Sequence, residues 1–153
     1  MKKFFLFQML LVLFIYGCSS TEIKHKRDYY IYFDPKYVNS FDFKGHDLIA
    51  TKINNQWYFI RKDGKALPVM SDKYDRPDKF KEGLARIKVN GKIGFFNRNL
   101  DIIIEPFYDF AFPFHKGVSD ICMGCKEVQY DNVKMLDGGE WKRINRSGLI
   151  IEE

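Results

Sequence analysis

The fold of this chain is decided by residues 80–118, which read FKEGLARIKVNGKIGFFNRNLDIIIEPFYDFAFPFHKGV. Two apolar runs in this stretch flank Asn90 and Gly91, and both residues tolerate the positive φ that a type I′ hairpin turn requires. Pro106 is expected to end a further run, because proline cannot donate to a strand ladder. The pattern therefore predicts three short strands, at Leu84 to Val89, Ile93 to Phe96 and Ile102 to Ile104.

The same unit occurs more than once along the chain. The phrase from Phe80 to Leu84 recurs 34 residues later, from Phe114 to Val118. Trp57 in an earlier copy and Trp141 in a later copy take the position of Ile93, and the later copy is stretched by fourteen residues. One unit has too small an apolar face to fold alone, whereas stacked copies bury one another. We expect an all-β array of antiparallel hairpins or short three-stranded units, built from about three degenerate repeats.

These phrases resemble the WG-repeat family, which is built on F-x-E-G-L-A-x-V, then N-G-K-W-G-Y-I-D, then I-x-P-x-Y-D. The matching segments are FKEGLARI at residues 80–87 and NGKIGFFNRNLDIIIEPFYDFAFPFHKG at residues 90–117, and the resemblance extends from Phe43 to the C-terminus. No copy keeps an intact Trp-Gly pair. The resemblance implies a β-repeat domain without an assigned activity. It marks as repeat core the residues Trp57, Phe80, Gly83, Gly94, Phe114, Gly117 and Trp141.

The N-terminal segment has the features of an export signal. Lys2 and Lys3 precede an apolar run from Phe4 to Tyr16. As a helix this run is only about 20 Å long, too short for the roughly 30 Å hydrocarbon core of a membrane. The junction of Gly17 and Cys18 resembles the lipobox of bacterial lipoproteins. That resemblance implies cleavage before Cys18, lipidation of its thiol, and a membrane partner held through two or three acyl chains.

These features divide the chain into three expected parts. Residues 1–17 are predicted to be a lipoprotein signal peptide, residues 18–28 the lipidated cysteine and a polar tether, and residues 29–153 a WG-repeat-like β domain. Ser19 follows the cysteine where aspartate commonly signals retention in the inner membrane. We therefore expect a cell-envelope protein, anchored at the outer membrane and facing the periplasm or the cell surface.

Composition and motifs exclude several function classes. The formal net charge is +5, two lysines belong to the signal segment, and cations are interleaved with carboxylates. Nucleic-acid binding usually needs a dense basic stripe, so we expect no nucleic-acid partner. The sequence has no G-x-S-x-G, no glycine-rich phosphate loop and no cluster of histidines with carboxylates. We therefore expect no enzymatic activity and no cofactor.

Cys122 and Cys125 form the most chemically suggestive pair. If Cys18 carries lipid, these two thiols remain, and in an oxidising compartment we expect them to form a disulfide. A redox C-x-x-C normally lies at a helix N-terminus, and structural zinc needs four ligands. His115 is the nearest histidine, and Asp131-Asn132 stands where the cysteine-containing variant repeat often has one. Free thiols, a metal site and redox catalysis remain alternatives.

Repetition without catalytic clustering favours a non-enzymatic module that binds an unidentified envelope or exported protein. Two other hypotheses are a thiol-redox or metal-binding envelope protein that uses the cysteine pair, and a structural envelope component with no specific ligand. Tyr29, Tyr30 and Tyr32 could form a recognition surface, since aromatic residues anchor interfaces, but a strand core is the preferred interpretation. Glu82 and Glu105 match consensus positions of the family, and we expect a turn or cap role for each.

Overall fold

A computed structural model of the protein describes residues 29–131 and 133–151. The predicted signal peptide (1–17), the lipidation site Cys18 and the polar tether (18–28) lie outside the described residues and remain predictions.

The described part of the chain is nearly all β-structure, which confirms the predicted fold class. It contains twelve strands and one short helix. In chain order these are β1 (Ile31–Tyr32), α1 (Pro35–Val38), β2 (Leu48–Ile53), β3 (Gln56–Arg61), β4 (Lys65–Val69), β5 (Leu84–Val89), β6 (Lys92–Asn97), β7 (Ile102–Tyr108), β8 (Phe110–Ala111), β9 (Val118–Met123), β10 (Lys126–Tyr130), β11 (Val133–Asp137) and β12 (Glu140–Asn145).

The strands fall into the three units that the sequence predicts. The first strands of the units are β2, β5 and β9, and their antiparallel partners are β3, β6 and β12, all six residues long. The strand orders of the three larger sheets are β1-β4-β3-β2, β5-β6-β7 and β12-β9-β8. The array of antiparallel hairpins and short three-stranded units is therefore confirmed.

The third strand of the second unit passes on to the next unit. β7 pairs with β6, and the chain then enters β8, which pairs with β9. The N–H of Asp109, between β7 and β8, donates to the carbonyl of Cys122 at 3.0 Å. After β4, the N–H of Met70 similarly donates to the carbonyl of Arg86 at 3.3 Å. Adjacent units therefore share backbone hydrogen bonds.

Much of the buried core lies between successive units. One cluster joins β4 to β5 and β6, and another joins β6 and β7 to β9 and β12. Phe80 lies at the first boundary, with its ring centroid 4.9 Å from that of Phe59 and 5.6 Å from that of Phe96. Phe114 lies at the second boundary, 4.7 Å from Phe95. Because these faces are buried only when units stack, each unit depends on its neighbour.

A buried ion pair connects the second unit to the strand that enters the third. The guanidinium of Arg86 in β5 donates from Nε and Nη2 to the carboxylate of Asp78 at 2.9 and 2.7 Å. The same carboxylate accepts the backbone N–H of Arg86 at 2.9 Å. Arg86 Nη1 donates to the carbonyl of Ala111 in β8 at 2.9 Å. These two side chains therefore hold three segments together.

The long turn of the third unit is a separate hairpin. β10 and β11 pair over five residues as a two-stranded sheet of their own. One face of this hairpin carries the paired residues Tyr130 and Val133 together with Met135, all exposed. A two-stranded hairpin is marginally stable by itself. We therefore expect this one to depend on its base, where it joins β9 and β12.

The prediction that Pro106 ends the third strand is wrong. β7 runs through Pro106 as far as Tyr108. The pairing between β6 and β7 shifts register in this region. Proline is compatible with such a bulge, because the missing N–H breaks no regular ladder hydrogen bond.

Candidate functional site

Gly94 marks the position where β7 crosses closely over β6. A Cβ atom at this residue would lie 2.4 Å from the carbonyl oxygen of Ile104 and 2.6 Å from the nitrogen of Pro106. Tyr58 and Lys142 take the equivalent positions in the other units. β4 pairs with β3 through Tyr58 without a register shift. The middle unit therefore requires glycine here, and the first unit does not.

Four other predicted repeat-core residues occupy equivalent places in the second and third units. Phe80 and Phe114 pack at the two unit boundaries described above. Gly83 and Gly117 lie in the turns before β5 and β9, with φ of +86° and +82°. The N–H of Gly117 donates to the carboxylate of Glu82 at 2.9 Å. Glu82 therefore connects the turns of two consecutive units.

The two tryptophans have different environments although their positions are equivalent. Trp57 is partly buried, lies opposite Val69 of β4, and donates its Nε1–H to the carbonyl of Asp75 at 3.0 Å. Trp141 is 46% exposed and lies at the surface, not in the predicted repeat core. Within residues 29–131 and 133–151, no third strand lies opposite Trp141 as β4 lies opposite Trp57.

Trp141 belongs to an aromatic surface on the outward face of the third sheet. The strand register places Phe110, Cys122 and Trp141 in one row across β8, β9 and β12, and paired residues share a face. The ring of Phe112 lies 4.9 Å from that of Phe110 and 6.1 Å from that of Trp141. The rings of Phe110 and Trp141 are 6.0 Å apart. We call Phe110, Phe112 and Trp141 the aromatic cluster.

The opposite face of this sheet is packed in the core. Ala111, Ile121 and Ile144, one from each strand, are completely buried. An antiparallel sheet with one face in the core normally presents polar side chains on its other face. Phe112, which is 47% exposed, and Trp141 depart from that rule. A contiguous exposed apolar surface of this kind is typical of an interaction site.

Two hollows run along the aromatic cluster, with volumes of about 630 and about 420 Å³. Both are lined by Phe112, Asp120 and Arg143, so they lie next to each other. We call them together the aromatic groove. The first also has Trp141, Lys142, Ile150 and Ile151 in its lining, and the second has Lys81, Pro113, Phe114, His115 and Val118.

The aromatic groove is bordered mainly by cations. Arg143 Nε donates to Asp120 Oδ1 at 3.2 Å. Lys142 Nζ lies 2.9 Å from the carboxylate of Glu140. Lys81, at the other end, forms no ion pair with any carboxylate in the described ranges. Among the described residues around the groove, these three cations therefore lie beside two carboxylates, Asp120 and Glu140.

The cysteine pair lies beneath the aromatic cluster. The Sγ atoms of Cys122 and Cys125 are within disulfide distance, and the Cα atoms are 6.0 Å apart. Both residues are buried, with Cys125 only 8% exposed. Gly139 packs directly against them, since a Cβ there would lie 2.6 Å from the Sγ of Cys122 and 2.7 Å from that of Cys125. The pair therefore fixes the base of the β10–β11 hairpin.

Asp109 holds the turn between the two cysteines. Its carboxylate accepts the N–H of Gly124 at 2.6 Å and pairs with the ammonium of Lys92. The hydrogen bond from Lys92 lowers the pKa of Asp109 below its usual value, and the bond from Gly124 lowers it further. The carboxylate is therefore ionised at neutral pH and keeps both contacts.

The surroundings of Cys122 differ from those of a reactive thiol. It lies near the end of β9, whereas a thiol of low pKa typically lies at a helix N-terminus or beside a cation. In the described ranges, no group of three or more histidine, cysteine and carboxylate side chains is placed to hold a metal ion.

The structure from residue 29 to 151, without residue 132, contains no helix that is both long and apolar enough to cross a membrane.

The three N-terminal tyrosines divide between core and surface. Tyr29 is buried, and its hydroxyl donates to the carboxylate of Glu105 at 2.5 Å. Tyr30 is partly buried against the same core cluster, and burial raises the pKa of its hydroxyl. Tyr32 is 67% exposed, so the strand-core interpretation is wrong for this residue. Tyr32 lies in β1, which is the edge strand of its sheet, and its side chain is therefore not covered on both sides.

Sequence reasoning did not identify Phe110, Phe112 and Arg143 as site residues. The alternation of Phe110, Ala111 and Phe112 is a signal that could have placed two rings on one face of a strand. Nothing in the local sequence shows that β12 brings Trp141 and Arg143 to the same face of the sheet as Phe110 and Phe112. The groove therefore depends on a sheet made from three separate segments.

One comparison with known proteins gives a match. The family described as WG containing repeat matches residues 73–92 and 93–124. These contiguous matches cover the chain from β5 to β9. They include Gly94, where β7 crosses closely over β6, and Cys122 but not Cys125. No curated protein and no solved structure matches the chain significantly. By its sequence phrases, its stacked hairpins and this match, the chain contains WG-type repeats, which the family model matches over residues 73–124.

Proposed function

We propose that this protein is a lipid-anchored component of the bacterial cell envelope whose WG-repeat domain binds another protein and catalyses no reaction. The observation that carries the proposal is the aromatic cluster. It occupies the outward face of a sheet whose other face is fully buried.

The aromatic cluster has the properties of a binding hot spot. Tryptophan and other large aromatic residues supply a disproportionate share of binding energy at protein interfaces. The three rings already contact one another, so little side-chain ordering is needed when a partner binds. The fixed backbone beneath them, joined at Cys122 and Cys125, adds to this preorganisation.

The proposed anchor is supported by the sequence at Gly17 and Cys18. Two or three acyl chains hold a protein stably on a bilayer, whereas one chain binds reversibly. The tether from residue 18 to residue 28 could reach about 35 Å when extended. That reach keeps the WG-repeat domain near the membrane while leaving the aromatic groove accessible to a partner.

Metabolic labelling tests the anchor. Cells that express the full chain are grown with labelled palmitate, and the wild type is compared with Cys18→Ala. We expect label in the wild type and none in the variant, which should also remain unprocessed. A wild-type chain without label would contradict the anchoring proposal.

Partner capture tests the binding function. Mild crosslinking in intact cells is followed by purification of the wild type, Trp141→Ala and the matched control Tyr74→Ala, which removes another exposed aromatic side chain. We expect a crosslinked protein that is lost from Trp141→Ala and kept by Tyr74→Ala. Identical capture by all three chains, or no captured protein at all, would contradict the proposal.

A further inference from the structure

We infer that the Cys122–Cys125 disulfide is a redox-sensitive switch for the aromatic cluster: the oxidised pair holds Trp141 beside Phe110 and Phe112, and reduction by a dithiol displaces Trp141. This inference rests on the proposed function, because it assigns a regulation to the proposed binding surface. The displacement itself can be measured on the protein alone, without a partner.

Cys122 lies in the middle of the aromatic cluster. It pairs with Phe110 on one side and with Trp141 on the other, and paired residues share a face of the sheet. Its side chain is completely buried, although Trp141 beside it is half exposed. A movement of the Cys122 sulfur therefore acts directly on the row that contains Trp141.

The segment that leads into Trp141 packs against both sulfur atoms. Gly139 lies two residues before Trp141 and directly before β12. A Cβ atom at Gly139 would lie 2.6 Å from the Sγ of Cys122 and 2.7 Å from that of Cys125, so the space between this backbone and the pair is full. Two thiols need more space than a bonded pair, because atoms that are not bonded repel each other at bonding distance. Reduction therefore requires room that this site lacks.

The turn between the cysteines is held by the second unit. The carboxylate of Asp109 accepts the N–H of Gly124 at 2.6 Å and pairs with the ammonium of Lys92. The N–H of Asp109 also donates to the carbonyl of Cys122 at 3.0 Å. Because these contacts fix the turn, we expect the backbone at Gly139 to move when the two sulfur atoms separate.

The reduced state has a hydrogen-bond acceptor in place. The Sγ of Cys125 lies 3.4 Å from the carbonyl oxygen of Gly138. After reduction the Cys125 thiol can donate to this carbonyl, as a weak S–H donor. The sulfur of Cys125 therefore has a partner in both redox states, and the partner in the reduced state belongs to the segment that leads to Trp141.

The chemical step is the exchange of this disulfide with an external dithiol. A thiolate of the dithiol attacks the Sγ of Cys125, the less completely buried cysteine, and Cys122 leaves as a thiolate that takes up a proton. The second thiolate of the reductant then attacks its own bonded sulfur and releases Cys125, which is protonated in turn. Two electrons reduce the pair to two thiols, and the dithiol is oxidised to a disulfide. The protein is therefore the substrate of this exchange and not its catalyst.

Reduction should weaken binding at the aromatic groove. In the oxidised protein the three rings contact one another, so a partner meets a surface that is already ordered. In the reduced protein Trp141 has to return to this arrangement before a partner can bind, and that step lowers the affinity. The oxidised protein is therefore the binding form.

Hydrogen exchange followed by mass spectrometry tests the displacement on the purified full chain. The protein is measured in the oxidised state and after reduction by dithiothreitol. We expect the backbone amides of β12 to exchange on the order of tenfold faster after reduction, whereas those of β5 and β6 keep their rate. Equal exchange of β12 in both states, or an equal acceleration in all three units, would overturn the inference.

The matched control for the reductant is Cys122→Ala/Cys125→Ala, which has no disulfide to reduce. Its exchange should be the same with and without dithiothreitol, and an acceleration of β12 by dithiothreitol in this variant would overturn the inference.

The indole N–H signals in a ¹⁵N–¹H NMR spectrum give a second readout. The signal of Trp141 should shift on reduction, whereas that of Trp57, which donates to the carbonyl of Asp75, should stay in place. An unchanged Trp141 signal would overturn the inference.

Photocrosslinking separates this inference from the proposed function. A chain that carries a photoreactive phenylalanine analogue at Phe112 is added to solubilised envelopes, either oxidised or reduced and freed of dithiothreitol under nitrogen. We expect the reduced chain to capture several-fold less protein. Equal capture by both states would overturn the assigned regulation and leave the binding function intact. No capture by the oxidised chain would contradict the binding function, and the displacement would then be decided by the exchange rates of β12.

Discussion

The buried ion pair between Arg86 and Asp78 gives the sharpest stability prediction. The two side chains are 12% and 8% exposed, and the Asp78 carboxylate accepts three hydrogen bonds from Arg86. Asp78→Ala would leave the guanidinium buried without its counter-charge and the backbone N–H of Arg86 without its acceptor. Removing one partner of a buried pair typically costs about 3–5 kcal/mol. We expect a loss of this size in the free energy of unfolding.

Urea unfolding followed by circular dichroism measures this loss. With a slope of about 1.5 kcal/mol per M, a loss of about 3–5 kcal/mol lowers the midpoint by about 2–3 M. The matched control is Asp47→Ala, because Asp47 pairs with Lys62 in an exposed position. An exposed pair contributes little, so the midpoint of this control should hardly move.

A double variant separates the buried charge from the lost packing. In Asp78→Leu/Arg86→Met both charges are replaced by apolar side chains, which often costs much less than removing one charge. The carbonyl of Ala111 loses its donor as well. We expect a residual loss of about 1–3 kcal/mol, smaller than that of Asp78→Ala. Equal midpoints for Asp78→Ala and Asp47→Ala would refute the reasoning.

Three other predictions test the repeat geometry and its contacts. Gly94→Ala should lower the free energy of unfolding in urea by at least about 2 kcal/mol, because its Cβ would meet β7. Gly83 has open space around it but a φ of +86°, so Gly83→Ala should lower the free energy of unfolding by about 1 kcal/mol. Equal losses for the two variants would contradict the close crossing at Gly94. Replacing residues 124–139 by Asn-Gly, together with Cys122→Ala, should give the third unit a tight turn like that of the second unit. The melting temperature should fall by several degrees while the circular dichroism spectrum of β-structure is retained. An unfolded chain would show that the inserted hairpin is essential. The pKa of Asp109 is depressed in the folded state, so its stabilising contribution is complete above the unfolded pKa of about 4 and disappears as the pH falls through the lower folded value. The urea midpoint of Asp109→Asn should therefore fall less than that of the wild type between about pH 5 and pH 2. Parallel curves of midpoint against pH for the two proteins would contradict this assignment.

Local sequence was sufficient to predict the hairpins of the second unit. Asn90 and Gly91 form the predicted tight turn, and β5 matches its predicted limits from Leu84 to Val89. The offsets between repeated phrases also placed the first and third units correctly. These features are determined by turn chemistry and alternating apolar residues, which act over a few positions.

Contacts between distant strands could not be predicted in the same way. The role of Gly94 depends on the path of β7, which passes close above it in spite of Pro106. Trp141 was expected to resemble Trp57 in the repeat core, but it is 46% exposed at the surface of the third sheet. The inserted hairpin and the aromatic groove also depend on segments that meet only in the folded chain.

Site-specific photocrosslinking in living cells tests the central claim most directly. A photoreactive phenylalanine analogue is placed at Phe112, inside the aromatic groove, or at Phe107, which is exposed but does not line it. We predict a covalent adduct with a partner protein from position 112, and little or none from position 107. Adducts of equal yield from both positions, or none from position 112, would contradict the claim that this groove is the binding surface.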